Sequence, residues 1–258
     1  MVKKILIFLT VLTLAVAAVG CFSIGSIVGR GPLETQTFDF HGFTRVQAAT
    51  AFEVNIVRSD EFSVSVTTNE NIFDYLALER TGDTLYVQLK AGSYTLASLK
   101  ATITIPDLFS VDVSGASSAT VSGFSSSHAL TLKASGASSI ELADMQSGEL
   151  ELLISGASRI TGSINSGNGS FNISGVSTLE ISGSGGNLEV TGSSASSVIL
   201  REFIAGNISV SYSGATSGSV NANGELDVLL SGASSLRYFG NPTLGDVNVS
   251  GGSSINQG

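Results

Sequence analysis

A Ser-Gly-Ala-Ser core recurs eight times in roughly the last 150 residues, and no other feature restricts the fold as strongly. Its glycines are Gly115, Gly136, Gly156, Gly175, Gly214, Gly232 and Gly251, with Ser194 standing in the glycine place of the fifth copy. The successive spacings of 21, 20, 19, 19, 20, 18 and 19 give a period near 19.4. Serine precedes the glycine in every copy, Ser114 through Ser250, and a hydroxyl residue follows two places after it, Ser117 through Ser253. Between them stand Ala116, Ala137, Ala157, Val176, Ala195, Ala215, Ala233 and Gly252. Four places upstream lie Val111, Leu132, Leu152, Phe171, Val190, Val210, Val228 and Val247. Four places downstream lie Ala119, Ile140, Ile160, Leu179, Val198, Gly218, Leu236 and Ile255. On both sides of the glycine, apolar and polar residues alternate with period two, the signature of strands. A repeat of this size carrying short strands is one coil of a β-solenoid.

The expected fold is therefore all-β: a single-stranded, right-handed parallel β-helix with coils of about 19 residues and a β-rich N-terminal cap. At the Ser-Gly-Ala-Ser corner, glycine supplies unusual dihedrals, and Ala or Ser lets the chain bend over a tight interior. Stacked hydroxyls can bond each other or the backbone along their column. Eight coils at a strand spacing of roughly 4.8 Å make a rod of about 40 Å. A Ser/Gly linker would not carry register-locked aliphatic columns. Composition agrees: of 258 residues only 13% are charged and none is tryptophan, while 30 are glycine. That is about half the usual charged fraction, with Glu and Lys too scarce for a helical bundle. Disorder is opposed by a mean hydropathy of +0.34, since unfolded chains are polar and highly charged.

Residues 38–106 lack the core motif but keep strand alternation, as in Phe52/Val54/Ile56, Phe62/Val64/Val66, Leu85/Val87/Leu89 and Ile103/Ile105. Gly82-Asp83 reads as a hairpin turn, Asn71 to Tyr75 as one helical turn, and Pro106 as the junction to the coils of 107–258. This half is expected to cap the solenoid, so that its first coil is not an open edge. The segments Phe52-Glu53-Val54-Asn55-Ile56-Val57-Arg58, Phe62 to Asn71, Ile103-Thr104-Ile105-Pro106-Asp107-Leu108 and Val113-Ser114-Gly115-Ala116-Ser117-Ser118 follow in that order. Together they resemble the putative auto-transporter adhesin family with the head GIN domain, common in bacterial surface lipoproteins. The similarity spans residues 38–258. It implies a right-handed β-helix-like fold and an extracytoplasmic location, and transfers fold better than function.

The first residues read as an address. Met1-Val2-Lys3-Lys4 is a basic stretch, and Ile5 to Val19 is an uncharged apolar run of 15 residues. That is short for a membrane span, which needs about 20, but suited to a signal peptide. Ala18-Val19-Gly20-Cys21 resembles the lipobox of bacterial lipoproteins, and Cys21 is the single cysteine of the chain. The resemblance implies removal of residues 1–20 and lipidation of Cys21, so that the mature chain is anchored rather than spanning. Residues 21–37 would hold the lipidated cysteine and a flexible tether. No aspartate follows the cysteine, so nothing marks retention at an inner membrane, and an outer membrane is expected if the cell has one.

Chemistry is sparse. The net charge is -9, or -11 without Lys3 and Lys4, and no Lys/Arg cluster offsets it, so nucleic acid is not an expected partner. His41 and His128 stand far apart without metal-ligand neighbours and read as surface residues. No serine sits in a Gly-x-Ser-x-Gly elbow. The glycine run Gly183 to Asn187 reads as a turn between coils. Carboxylates are scattered over the coils: Asp112, Glu141, Asp144, Glu149, Glu151, Glu180, Glu189, Glu202, Glu225, Asp227 and Asp246. Glu141 with Asp144, or Glu225 with Asp227, could meet the roughly 5–9.5 Å separation that glycoside hydrolysis requires, though a solvated acidic face accounts for them. The glycosylation triplets at Asn168, Asn172, Asn207 and Asn248 follow from composition. No catalytic residue, cofactor or metal is expected.

Three functions remain, in order. The first is a non-catalytic, adhesin-like envelope module for glycan or protein ligands, held to the membrane through Cys21. The second is a structural protein that self-assembles through the edge of its last coil. The third is a polysaccharide lyase or hydrolase on a β-helix scaffold.

Overall fold

The computed structural model describes residues 25–258. Cys21 and residues 1–20, read from the sequence as a signal peptide, lie outside the described residues. Two large sheets face each other, one of 12 strands and one of 11, and their inward side chains form a single continuous core. From Ser110 onward the chain alternates between them. Leu130–Ala134 lies in the 11-stranded sheet, Ser139–Gln146 in the 12-stranded one, Leu150–Ile154 in the first again, and so on to Ser254–Gln257. Every strand in this region pairs in parallel with the strand one coil away. The fold is the expected all-β solenoid, with stacked coils of about 20 residues.

The glycine corner is explained by its dihedrals. All seven repeat glycines have φ between +69° and +78°, and Ser194 joins them at +66°. Each corner also bonds the previous one, as when Ala137 N–H donates to Gly115 O at 2.8 Å and Ala157 N–H to Gly136 O at 2.7 Å. The alanine between glycine and serine does not line a tight interior as the sequence suggested. It lies exposed on the corner, and Val176 replaces it at 71% exposure. The tight interior belongs to the hydroxyl two places after the glycine. Ser117, Ser138, Ser158, Ser177, Ser196, Thr216 and Ser234 are all buried. Burial without a partner would be costly, and the column answers it internally. Ser138 N–H donates to Ser158 Oγ (3.3 Å), Ser158 N–H to Ser177 Oγ (3.4 Å), and Ser138 Oγ–H to Val113 O (2.9 Å).

The opposite corner carries a second ladder. Asn187 N–H donates to Asn168 Oδ1 (2.9 Å), Asn207 N–H to Asn187 Oδ1 (3.0 Å), and Glu225 N–H to Asn207 Oδ1 (2.8 Å). Two of the glycosylation triplets thus begin with an asparagine whose side chain bonds the next coil. Of the run Gly183 to Asn187, read as a turn, Gly183 and Ser184 still belong to the strand Thr178–Ser184, and only Gly185 to Asn187 make the turn.

The front half contains a further corner that its sequence hides. Ala48 pairs with Val113 and Glu53 with Ser118, so Thr50 occupies the glycine place with φ +61° and Ala51 follows at +64°. Phe52 then takes the serine place, buried, with its N–H bonded to Ser117 Oγ at 3.1 Å. Beyond this corner the stacking changes sense. Ser63–Asn69 and Leu33–Phe38 add antiparallel strands to one sheet, and Leu76–Thr81 adds one to the other. The Gly82-Asp83 hairpin and a 3-10 turn at Glu70–Tyr75 are present. These antiparallel strands cap the solenoid.

Part of the segment read as a tether is structured. Ile27–Val28 pairs with Tyr94–Thr95, and Leu33–Phe38 pairs with Ser63–Asn69. The glycines there do not prevent pairing, because the partners are mostly backbone groups, joined by the side chains of Asn69 and Asn71. Asn71 Oδ1 accepts Arg30 N–H at 2.7 Å, while Asn71 Nδ2–H donates to Val28 O at 2.9 Å.

Asp112, on the outer face of the 11-stranded sheet beside Lys133, has its carboxyl pKa raised, chiefly by burial and against the pull of Lys133. A raised folded-state pKa means that the acid form suits the fold better. The contribution is then fully present below the unfolded pKa and is lost as pH rises through the folded one. Asp112→Asn is therefore expected to unfold at a higher temperature than wild type at pH 7, with the gap closing as both are taken to pH 3. Thermal melts across that range check it.

Candidate functional site

Sites on a solenoid are built from columns, because one position of the repeat recurs in each stacked strand. The residue five places after each repeat glycine faces outward from the 12-stranded sheet. Thr120, Glu141, Thr161, Glu180, Ile199, Ser219, Arg237 and Asn256 are successive register partners. The column continues into the cap through Asn55, Thr102, Ser65 and Thr37. It crosses the whole sheet with neighbours spaced at roughly 4.8 Å.

Three of the four register shifts in the coil stack lie beside this column, the fourth being between Leu226 and Val228 on the other sheet. The pairing register shifts between Leu142 and Met145, between Glu180 and Gly183, and between Ile199 and Ile204. A bulge bends its strand and re-aims the side chains around it. Here the extra residues lie in Ser139–Gln146 and Ser197–Ala205, while Arg159–Asn165 and Thr178–Ser184 between them pair without a break. Asp144 has φ +54°, and Gly162 and Gly183 are near +120°. Two depressions follow the column and together form a trough. One depression of about 440 Å³ is lined by Glu141, Thr161, Ser163, Glu180, Ile199 and Glu202. A second, of about 260 Å³, continues past Ile199 to Ser219, Arg237 and Asn256.

The chemistry along the trough is graded. Three carboxylates line its first part, an exposed isoleucine its middle, and Arg237 with Asn256 its far part. Glu141 and Glu180 are two strands apart with Thr161 between them, so their backbones are separated by roughly 10 Å. Arg201 lies at the rim, its guanidinium 5.0 Å from the Phe239 ring centre and its Nε 3.4 Å from Glu202 Oε1. Such a surface offers carboxylate acceptors and a guanidinium donor to hydroxyl groups, with an aliphatic patch for a ring face.

The residues singled out as possible chemistry are not assembled into a reacting set. Glu141 and Asp144 are divided by the bulge and line different depressions. Asp227 Oδ1 is taken up by Asp246 N–H at 2.8 Å, alongside Glu225 near Gly245. His128 is not a free surface histidine. It is half-buried, stacked on Phe109 with ring centres 3.7 Å apart, and its Nε2 lies 2.6 Å from Asp107 Oδ1. His41 pairs with Asp39 on an exposed loop. Among the described residues, no group of three or more His, Cys, Asp or Glu is placed to hold a metal ion. No helix among them is long and apolar enough to cross a membrane.

Sequence alignment on the repeat glycine passed over the column at plus five. The signal was present: the places at plus four and minus four are uniformly apolar, whereas plus five mixes Glu, Thr, Ile and Arg.

Comparison with known proteins places the chain. Residues 42–242 match the family model described as putative auto-transporter adhesin, head GIN domain. A putative adhesin from Parabacteroides merdae ATCC 43184 has a crystal structure that superposes with a TM-score of 0.83 at 16% identity, covering 90% of this chain and 98% of its own. A putative lipid binding protein from Parabacteroides distasonis ATCC 8503 gives 0.82 at 22% identity, over 90% and 99% of the two chains. A putative adhesin from Bacteroides fragilis NCTC 9343 gives 0.70 at 17%, over 90% and 100%. At these identities the likeness is one of fold. No curated protein matches the chain in sequence.

Proposed function

Because the chain belongs to the putative auto-transporter adhesin, head GIN domain family, we propose that it is a non-catalytic binding module of a bacterial cell envelope. In this reading it is lipid-anchored through Cys21, with the anchor in the outer membrane if the cell has one, and it grips a hydroxyl-rich glycan along the trough from Glu141 to Asn256. The observation that carries the reading is the trough that follows the mixed column, beside which three of the four register shifts of the coil stack lie. Departures from local regularity mark functional sites, because packing alone would favour an unbroken ladder. The three carboxylates make neutral or amino sugars better ligands than sulfated or uronic ones, which like-charge repulsion would weaken.

The test is binding of soluble residues 22–258 to a broad glycan array, with an unrelated acidic β-solenoid as control. Selective, saturable binding to neutral or amino sugars is expected. Binding confined to sulfated glycans, or none above the control, would overturn the reading. Release of oligosaccharide from a bound glycan would instead establish an enzyme.

One observation favours the second reading, self-assembly. Thr243–Val249 and Ser254–Gln257 are the last strands of their sheets, and among the described residues their outer edges have no partner. Val247 and Val249 belong to inward-facing columns yet are 39% and 41% exposed. Unpaired edges template further pairing. A monomeric mass independent of concentration would count against it.

A further inference from the structure

The most exposed large apolar side chain among the described residues is Leu96, at 86%. It stands at the tip of the loop after Tyr94–Thr95, with φ +54°, a backbone region that suits glycine or asparagine. Neither folding nor solubility favours a leucine there, and an outlier of this kind points to a use. Its place in the fold indicates which use. The two-residue strand Tyr94–Thr95 pairs with Ile27–Val28, and Gly29 N–H donates to Thr95 O at 3.0 Å. Asn69 fastens the same region, accepting Ser98 N–H at 3.1 Å and donating to Gly31 O at 3.4 Å. Leu33, 56% exposed, is the cross-strand partner of Asn69. Two tyrosines accompany the loop, half-buried, with Tyr75 and Tyr94 edge to face at 5.9 Å.

Only six residue steps separate Cys21 from Ile27. Fully extended, they reach at most about 20 Å. A lipid on Cys21 would thus hold this end of the solenoid close to the bilayer. We propose that the Leu96 loop is the membrane-contacting foot of the protein, seating Leu96 in the interfacial layer of the bilayer with Tyr94 at headgroup level. Interfacial tyrosines and leucines take such positions in other membrane-bound chains. The proposal rests on the anchored reading and deepens it. The capped end faces the membrane, and the trough runs away from it toward the last coils. Arg30 and Lys90 lie near the foot, but Glu34, Glu70 and Asp74 offset them, so the contact does not depend on anionic lipid.

The chain has one cysteine and no tryptophan, which makes the test direct. The mature chain from Cys21 is coupled through that thiol to a maleimide phospholipid in phosphatidylcholine vesicles, bypassing biological lipidation. Leu96→Trp supplies the probe and Leu229→Trp, 53% exposed on a strand of the far coils, the control. With brominated acyl chains, Leu96→Trp fluorescence should fall roughly twofold, as for a side chain about 5–10 Å into the interface. Leu229→Trp should be unchanged, and adding phosphatidylglycerol should not alter either result. An unquenched Leu96→Trp on vesicle-bound protein, or equal quenching of both probes, would overturn the proposal. Lipidation is tested separately, by palmitate labelling of wild type against Cys21→Ala in a bacterial host, so the two readings fail independently.

Discussion

Gly218→Val should destabilise the protein by about 3 kcal/mol, at the upper end for an overpacked core, and Tyr212→Val should restore most of the loss. Position 218 lies in an inward column that carries Ile, Leu or Val in every other coil but the first, where it is Ala119, and its register partners are Val198 and Leu236. Glycine stands there because the Tyr212 ring fills its space. A Cβ at 218 would come within 2.5 Å of Tyr212 Cε2, and one at Gly192 within 2.9 Å of Tyr212 Cδ1. Gly192 is the register partner of Tyr212 one coil away, so the ring spreads into two glycine vacancies. Tyr212→Val alone should cost about 2–3 kcal/mol through the void left behind. The double variant should lie near wild type, giving a coupling of about 2–3 kcal/mol in a double-mutant cycle. Denaturant midpoints of the four proteins measure it, and additive losses would refute the packing account. The ring also carries a buried hydroxyl without a hydrogen-bond partner. Burial accordingly drives its pKa strongly upward. Tyr212→Phe should then be neutral or more stable, by up to about 1 kcal/mol.

The glycine corners give the second large effect. Gly156→Ala should cost about 3 kcal/mol. A non-glycine residue at φ +77° costs about 1–2 kcal/mol by itself. Its Cβ would also lie 2.5 Å from Gly136 O and 3.0 Å from Gly136 N. Those are backbone atoms that cannot step aside, and Gly136 O already accepts Ala157 N–H at 2.7 Å. Ser194→Gly should act the other way, stabilising by about 0.5–1 kcal/mol, because strain is relieved while unfolded-chain entropy rises. The corner bond below Ser194, Ala195 N–H to Gly175 O, is 3.0 Å, longer than the 2.6–2.8 Å of the other corners. Equal and small effects for Gly156→Ala and Ser194→Gly would show that the corners tolerate side chains.

Much of this was legible in the sequence, for a physical reason. A solenoid repeats each environment, so columns of like residues reveal the strands, the glycine corners and the stacked hydroxyls before any coordinate is known, though not that the hydroxyls rather than the alanines fill the tight interior. The parts that escaped are those where one chemistry substitutes for another. At Thr50-Ala51-Phe52 a strained corner is held by neighbouring coils, so the motif vanishes while the geometry persists. The strands Ile27–Val28 and Leu33–Phe38 are held through backbone groups with Asn69 and Asn71, which composition does not register. His128 finds Asp107 and Phe109 only because Asp107 and Phe109 lie one coil earlier. The binding column escaped because it is defined by variation. A site varies where packing demands constancy, so searching for sameness passes over it.

The most direct test is to change the trough and leave the scaffold alone. Glu141 and Glu180 are exposed, so Glu141→Gln with Glu180→Gln should leave the unfolding midpoint unchanged. The affinity for the array-selected glycan should weaken at least about tenfold, as expected when two charge-assisted hydrogen bonds become neutral ones. Glu189→Gln, on the outer face of the 11-stranded sheet, should bind as wild type. Loss of binding with Glu189→Gln, and retention with the double variant, would place the ligand on the other sheet and contradict the account.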